Sequence, residues 1–337
     1  MSQLANLTTT IVHDRPWLAT WLLALGVLTA ARVTYTTLSF FLQTFVIPGQ
    51  SLNRFGAKKG AWAVVTGASD GIGKEFSFQL AKAGFNVFLV ARNTELLAST
   101  AAAIEQKYPS VSTRIHSIDF AKQDDAAYEV LAAQLKPLDV GVLVNNVGKS
   151  HAMPAYLVDT PKEEIQDIIA INVGATVRNT YAILPGMVAR KRGLILNIGS
   201  FAGAVPSPML ATYSGTKSFL ATFSSALAEE VAAHNIVVEH VNTYFVVSKL
   251  SKIRKPSLLT PMPGPYVRSV LSKVDLPCGA VSGDLPSTST PYWSHAVLHY
   301  AMSMLNAPSK IIRYTHNLHK DIRRRALRKL EREAKAQ

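Results

Sequence analysis

Between residues 61 and 245 the chain alternates short apolar runs with longer stretches of helical character, and no break there ends a domain. Strands separated by helices pair in parallel, because each crossover carries the chain back to the same end of the sheet. The expected fold class is therefore α/β, one doubly wound parallel sheet. Residues 61–66, 85–91, 112–118, 140–144, 194–198 and 236–241 read as its strands. Open sheets of this kind bind ligands beyond the carboxyl ends of their strands. The residues that follow each strand are thus the candidate site.

The first strand runs into Gly67-Ala68-Ser69-Asp70-Gly71-Ile72-Gly73, and 74–83 reads as a helix. Strand, glycine turn and helix in that order form the setting of a dinucleotide-binding, Rossmann-type unit. Glycines let the backbone approach a pyrophosphate, and the helix start presents free amides to it. Val65, Gly67, Ser69, Asp70, Gly71, Ile72 and Gly73 are the expected contacts. The spacing is one residue longer than the usual fingerprint.

After the second strand a dinucleotide fold selecting NAD carries an acid for the ribose hydroxyls. Here Arg92 and Asn93 stand there. An arginine suits a 2′-phosphate, so NADPH is the expected cofactor, although Asp70 places a negative charge nearby. Asp119, at the end of the third strand, either accepts a hydrogen bond from an adenine amino group or caps its loop. Asn145 and Asn146, at the end of the fourth, bond either backbone or cofactor.

Tyr213 and Lys217 are one helical turn apart and share a face. A free phenol has a pKa of about 10 and exchanges protons poorly at neutral pH. A fixed ammonium one turn away favours the phenolate and lowers that value. The pair is a candidate proton donor working near neutrality. Ser200 ends the fifth strand, at the edge where ligands bind. Asn172 lies inside a long helix expected over 161–190, bent near Pro185. Asparagine is poor in a helix interior, so Asn172 is expected to have a specific partner.

Taken together, Thr66-Gly67-Ala68-Ser69-Asp70-Gly71-Ile72-Gly73, Asn145-Asn146-Val147-Gly148, Asn172, Ser200, and Tyr213 with Lys217 resemble the short-chain dehydrogenase/reductase family. The resemblance implies that Tyr213 donates a proton and Ser200 holds the substrate oxygen. It implies that Lys217 lowers the tyrosine pKa and grips the nicotinamide ribose, while Asn172 holds a water in a proton relay. The family usually has Pro-Gly before the segment touching the nicotinamide carboxamide; here Thr243-Tyr244 stands there, and Val246 and Ser248 still match downstream.

A membrane element precedes the sheet. With 48% hydrophobic and 17% charged residues the chain is apolar for a soluble protein. Residues 17–47 are apolar except for Arg32 and some hydroxyls, longer than the about 20 residues a span needs. Trp17 and Trp21 suit one interfacial belt. Pro48-Gly49 ends the run, and Arg54, Lys58 and Lys59 follow it, against Asp14 and Arg15 before it. That bias puts the bulk of the protein in the cytosol. The sequon Asn6-Leu7-Thr8 lies too near the run to be expected to carry a glycan. Cys278 is the single cysteine, which excludes an intrachain disulfide and a cysteine zinc cage.

Of the net charge of +13, much lies in residues 310–337, which hold ten Lys and Arg against three acids. Such a run suits an anionic membrane surface; nucleic acid is not an expected partner. After residue 247 the chain reads as irregular and rich in proline. Residues 251–289 are expected to fold over the substrate as a lid. Lys249, Lys252, Arg254 and Lys255 either meet coenzyme A phosphates or lie solvated. The expected organisation is a tail over 1–16, an anchor helix over 17–47, a reductase domain over 58–310 with the lid at 251–289, and a basic tail over 311–337. Residues 292–306 read as a packed or interfacial helix, with His295 and His299 as core groups.

Finer motifs narrow the resemblance to the microsomal very-long-chain 3-oxoacyl-CoA reductases. They are Leu143-Val144-Asn145-Asn146-Val147-Gly148-Lys149-Ser150-His151, Ala211-Thr212-Tyr213-Ser214-Gly215-Thr216-Lys217-Ser218-Phe219, Ser251-Lys252-Ile253-Arg254-Lys255 and Thr290-Pro291-Tyr292-Trp293-Ser294-His295-Ala296. This implies a very-long-chain 3-oxoacyl-CoA substrate, NADPH, and fatty-acid elongation partners: a condensing enzyme, a dehydratase and an enoyl reductase. It also implies an endoplasmic reticulum membrane location with the catalytic domain facing the cytosol. The C-terminal residues lack the paired lysines of a retrieval signal. A steroid, retinoid or 3-ketosphinganine reductase, and a catalytically silent NADP-sensing scaffold, are the alternatives.

Overall fold

The computed structural model describes residues 13–279, 285–305 and 307–335. The sequon at Asn6 lies outside them, as does most of the expected N-terminal tail. The strands are β1 (Trp62–Thr66), β2 (Asn86–Ala91), β3 (Thr113–Ser117), β4 (Val140–Asn145), β5 (Gly193–Ile198), β6 (Ile236–Val241) and β7 (Thr288–Ser289). They form a seven-stranded sheet in the order β3-β2-β1-β4-β5-β6-β7. Every pairing is parallel. The strand order reverses between β1 and β4, and the crevice opens there.

The helices are α1 (Pro16–Phe41), α2 (Gly71–Ala83), α3 (Thr94–Lys107), α4 (Asp125–Leu135), α5 (Lys162–Ile169), α6 (Ala175–Arg190), α7 (Phe201–Ala204), α8 (Ala211–Val231), α9 (Pro263–Ser272), α10 (Trp293–Leu305) and α11 (Pro308–Lys335). Alternate residues of β1, β2, β4, β5 and β6 feed two cores. On one face Val65, Leu89, Val144 and Leu196 meet Phe76 and Leu80 of α2, Leu97 of α3 and Tyr266 and Val270 of α9. On the other, Val64, Phe88, Leu143 and Ile195 meet Leu131 of α4, Met187 of α6 and Leu227 of α8. All six residues of β4 are buried, as a strand covered on both faces requires. Each fully buried Val, Leu or Phe contributes about 1.5–3 kcal/mol relative to exposure.

Four elements differ from the sequence expectation. First, much of 251–289 is ordered into the core rather than irregular. Pro263 stands in the first turn of α9, and Tyr266, Val267, Val270 and Leu271 form one buried face against α2. β7, only two residues long, gave no strand signal in the sequence. Second, the long helix is broken by a π turn at Ala170–Gly174, around Asn172, while Pro185 sits inside α6. Third, Ser207–Pro208 reads in the sequence as the opening of the helix bearing Tyr213, but that helix starts at Ala211, because Leu210 N–H returns to the Ser207 carbonyl at 3.1 Å in a turn. Fourth, the basic C-terminal tail is a single helix, α11, of 28 residues.

The N-terminal helix continues through a π turn at Leu42–Val46. Pro16–Val46 is long and apolar enough to cross a membrane, with a mean hydropathy of 1.4 over a stretch of which none is buried; Thr44, at its base, is buried. Its base is attached to the domain. The Lys273 ammonium donates to the carbonyls of Gln43 (2.9 Å) and Ile47 (2.6 Å). Gly49 and Gln50 amides donate to Ser272 and Val274. The Phe40 ring stacks on Tyr300 of α10 with centroids 4.4 Å apart.

Candidate active site

The glycine turn joins β1 to α2. Gly67 has φ +66, a region costly for residues with a Cβ. A Cβ on Gly73 would lie 2.3 Å from the Gly67 carbonyl oxygen, so helix and turn close only on a bare backbone. Asp70 caps α2, accepting from Gly71 N–H at 2.8 Å, and pairs with Lys249 at 2.9 Å. Burial opposes its charge, but the Lys249 ammonium and the Gly71 amide outweigh it and hold the carboxyl below its ordinary range. Ile72, Asn146 and Ser248 line the cavity on this side. A Cβ added to Gly71 would meet only Ser248, at 3.5 Å across the opening. This open, amide-lined cradle fits a pyrophosphate. Val65 is fully buried within β1, so its side chain belongs to the core beneath the turn.

The strand ends divide the other expected contacts. Arg92 is 78% exposed at the end of β2, 3.9 Å from the Asp119 carboxylate. Asp119 also accepts from Ala121 N–H at 3.2 Å and so caps its own loop. Asn146 donates from its side chain to the Thr66 carbonyl at 2.9 Å, while Thr66 Oγ1 accepts from Asn146 and Val147 N–H. Together these clasp the ends of β1 and β4 beneath the cavity. Asn145, expected beside the cofactor, points the other way. It is 3% exposed and donates to Thr180 Oγ1 (3.1 Å) and Asn197 Oδ1 (2.9 Å). Successive residues of a strand face opposite sides, so one of two adjacent asparagines had to enter the core.

Tyr213, Lys217 and Ser200 line one cavity, and Asn172 lies buried close behind them. Ser200 caps α7, its Oγ accepting from Ala202 N–H at 3.2 Å, and its hydroxyl lies near enough to the Tyr213 phenol to act on its acidity. The Lys217 ammonium donates to the Ile198 carbonyl at 2.8 Å and lies 5.8 Å from the Tyr213 ring centre. Asn172 Oδ1 accepts from Lys149 N–H at 2.8 Å, and its amide donates to the Lys149 carbonyl and to Thr216 Oγ1. The π turn around Asn172 thus fixes the loop after β4 against the helix carrying Tyr213.

The electrostatics differ from the expectation in one respect. Burial raises the Tyr213 phenol, and the Ser200 hydroxyl only partly offsets it. The same dry surroundings push Lys217 down to about 8. Desolvation disfavours whichever form is charged, and here it outweighs the attraction between the two groups.

These residues end a cavity of about 750 Å³. Its α10–α11 wall is mainly apolar, with Leu298 and Met302 of α10 and Ile311, Tyr314 and Leu318 of α11, interrupted by Lys310, Thr315 and His319. Val246 and Ser248 line it as well. Thr243, where Pro-Gly was expected, also lines it and shares a 2.5 Å hydrogen bond with the buried Tyr266 hydroxyl. His295 holds the backbone behind it: Nδ1 accepts from Tyr244 N–H at 3.4 Å and Nε2 bonds the Leu259 carbonyl at 3.2 Å. Burial pushes His295 down to about 4, so the ring is neutral. Sequence reasoning missed Thr66, whose place just before the first glycine was the available signal. It also missed the α10–α11 wall, although Ile311, Tyr314 and Leu318 have helical spacing.

Residues 61–257 match the family described as short chain dehydrogenase. The chain is 69% identical over 332 residues to a very-long-chain 3-oxoacyl-CoA reductase of Laccaria bicolor, covering 98% of each. It is 47% identical over 317 residues to a protein of the same description from Ajellomyces capsulatus, covering 94% of this chain and 93% of that one. Among solved structures, a 7beta-hydroxysteroid dehydrogenase shares the fold, with TM-score 0.66 and 23% identity, over 77% of this chain and 97% of its own. A short-chain dehydrogenase from Sphingobium yanoikuyae, solved with NADPH, aligns with TM-score 0.57 and 25% identity, over 63% of this chain and 83% of its own. The glycine turn, the four neighbouring side chains and these similarities agree: the chain belongs to the short chain dehydrogenase family.

Proposed function

We propose that this protein reduces very-long-chain 3-oxoacyl-CoA to the 3-hydroxyacyl-CoA with NADPH, at a membrane, as one step of fatty-acid elongation. One observation carries the reading. Ser200, Tyr213 and Lys217 line a cavity that also has a broad apolar wall from α10 and α11, in a chain whose N-terminal helix is long and apolar enough to cross a membrane. The named relatives support the substrate, and Arg92 at the end of β2 supports the 2′-phosphate of NADPH.

When bound, NADPH supplies the hydride to the carbonyl carbon. Ser200 and Tyr213 hold the carbonyl oxygen between their hydroxyls. The Tyr213 hydroxyl releases its proton to that oxygen, and a phenol held above its ordinary pKa keeps the proton until the oxygen becomes basic. Ser200 donates to the developing alkoxide, whose charge appears only in the transition state. Lys217, one turn behind, stabilises the phenolate left on Tyr213. Asn172 positions this group through Thr216 and Lys149, and in this reading its turn also holds a water of the returning proton path. The lid role narrows to 248–262, where Leu250 and Ser251 line the cavity, because α9 is fixed in the core. The cations that follow the apolar helix support a catalytic domain on the cytosolic side, and the resemblance to microsomal reductases supports the endoplasmic reticulum. Elongation implies a condensing enzyme before this step and a dehydratase after it.

The test is cofactor oxidation by the detergent-solubilised full chain against 3-oxoacyl-CoAs of increasing length, steroids and 3-ketosphinganine. The long 3-oxoacyl-CoAs should turn over fastest, and NADPH should be preferred to NADH. A steroid or 3-ketosphinganine outpacing every acyl-CoA would overturn the substrate, and equal use of NADH would overturn the role of Arg92.

A further inference from the structure

A second cavity, of about 670 Å³, opens beside the first. Four of its lining residues are cations: Lys249, Lys252 and Arg254 from the loop after β6, and Lys329 from α11. Among the described residues no acid lines it, and no residue of the glycine turn does. Ser248 lines both cavities, so they are neighbours along one loop. Lys255, grouped with the other three in the sequence, is not part of the lining, whereas Lys329, 75 positions beyond Arg254 in the numbering, is.

The walls are held in place. The Lys252 ammonium donates to the Ala152 carbonyl. On α11, Arg323 donates to the Pro154 carbonyl at 3.0 Å and pairs with Asp159 at 3.4 Å. His319 bonds the Pro208 carbonyl at 2.6 Å. The same short loop, 152–159, therefore steadies the basic loop on one side and the helix bearing Lys329 on the other. Lys249 is paired with Asp70 and Lys252 with the Ala152 carbonyl, but the other two charges are available. Arg254 has no hydrogen-bond or ion-pair partner among the described residues. Lys329 faces only Glu333 of its own helix, at 3.5 Å with both side chains mostly exposed, a pairing worth little in water.

We propose that this cavity is a polyphosphate cradle that receives the phosphorylated nucleotide end of the acyl carrier, with Arg254 and Lys329 as its principal anion-binding groups. The proposal rests on the reductase reading and extends it to the handle of the substrate. The carrier presents several phosphates at the opposite end from its thioester. The apolar cavity takes the acyl part and the basic one the charged part. Cations that converge on a concave space suit a compact polyanion, and guanidinium and ammonium groups bind phosphate by charge-assisted hydrogen bonds. A flat membrane surface would need them splayed outward. In this arrangement α11 contributes to both ends of the substrate, with Ile311 and Leu318 on the chain and Lys329 on the phosphates.

The experiment uses the detergent-solubilised full chain, without anionic lipid, and a 3-oxohexadecanoyl group carried either on coenzyme A or on N-acetylcysteamine, which has no phosphate. In the double variant R254E/K329E the KM for the coenzyme A ester should rise by about ten-fold or more, with kcat little changed. The KM for the N-acetylcysteamine ester and for NADPH should stay at the native value, which also shows that the variant is folded. The charge-preserving pair R254K/K329R should restore the coenzyme A KM to within about two-fold. An equal rise for both thioesters, a raised KM for NADPH, or a charge-preserving pair as weak as the reversed one would each overturn the cradle. Failure of the native chain to turn over either thioester would remove the reductase reading itself; a native chain that uses both esters with equal KM would remove only the cradle.

Discussion

The side of the crevice built on β1, β2 and α2 and the side roofed by α10 and α11 face one cavity, yet they are made by different means. The first is a backbone device. Gly67 takes a left-handed φ, Gly73 lets two backbones touch, Asp70 caps the helix and Thr66 ties two strand ends. The second is a side-chain device, in which Leu298, Met302, Ile311 and Leu318 present apolar surface with no hydrogen-bond pattern. A pyrophosphate has one size and one charge distribution, so the groups that meet it are fixed and adjacent in sequence. An alkyl chain offers no directional group, so many residues at scattered positions serve equally well.

The largest effect should come from the point where the sides meet. Tyr213→Phe is expected to lower kcat by about 10³-fold while leaving NADPH affinity unchanged, read by turnover and by fluorescence titration of the cofactor. A variant retaining native turnover would take the proton-donor role from Tyr213. Next, Gly73→Val should break only the backbone side. Its Cβ would lie 2.3 Å from the Gly67 carbonyl and 2.4 Å from Asn146 Nδ2. Overpacking at roughly 1–3 kcal/mol corresponds to a loss of up to about 100-fold in NADPH affinity. Unchanged affinity would mean that the turn is not where the phosphates sit.

A smaller effect is expected on the apolar side. Leu298→Trp should shorten the preferred acyl chain, lowering kcat/KM for the longest 3-oxoacyl-CoA by about ten-fold with the KM for NADPH intact. An equal loss at every chain length would show that α10 is a support rather than a ruler. The smallest effect belongs to neither side. Glu239 is buried in β6 and pushed up to about 8, burial being the main cause, while Asp275 N–H donates to it at 3.0 Å. With the folded value above the unfolded one, its contribution to stability is complete below about 4.5 and is lost as pH rises through about 8. Glu239→Gln should therefore leave Tm unchanged at pH ~5 and raise it by about 2–4 °C at pH ~9. A rise of the same size at both values would point to packing instead of ionisation.

The same contrast explains what could be read from the sequence. The glycine turn, and Tyr213 with Lys217, were legible because turn and helix geometry fix their spacing over a few residues, whereas the role of Ser200 came from the family resemblance. Asn172 was legible as a residue needing a partner, but the π turn that answers that need was not, since it depends on Lys149 in a distant loop. Asn145 and Asn146 could not be separated without knowing which face of β4 each takes. β7 was too short to show a period, and α9 was hidden among prolines and basic residues. The direction of the Tyr213 shift was misjudged because a charge neighbour is visible in sequence and the dryness of a crevice is not. The cavity face of α11 was obscured by its charge: ten cations across 310–337 dominate the reading, while the apolar residues between them form the wall.

The attachment at the base of the apolar N-terminal helix changes what that helix does. Lys273 grips two of its carbonyls and Tyr300 stacks on Phe40, so it is a mast and not a leash. If that helix crosses a membrane, the catalytic body would ride at a set height and tilt, and a substrate's carbonyl would have to climb to that height before it met the phenol. Two proteins with identical crevices but differently stepped masts would draw on different depths of the lipid. Selectivity would then be written partly in a joint that never touches the substrate.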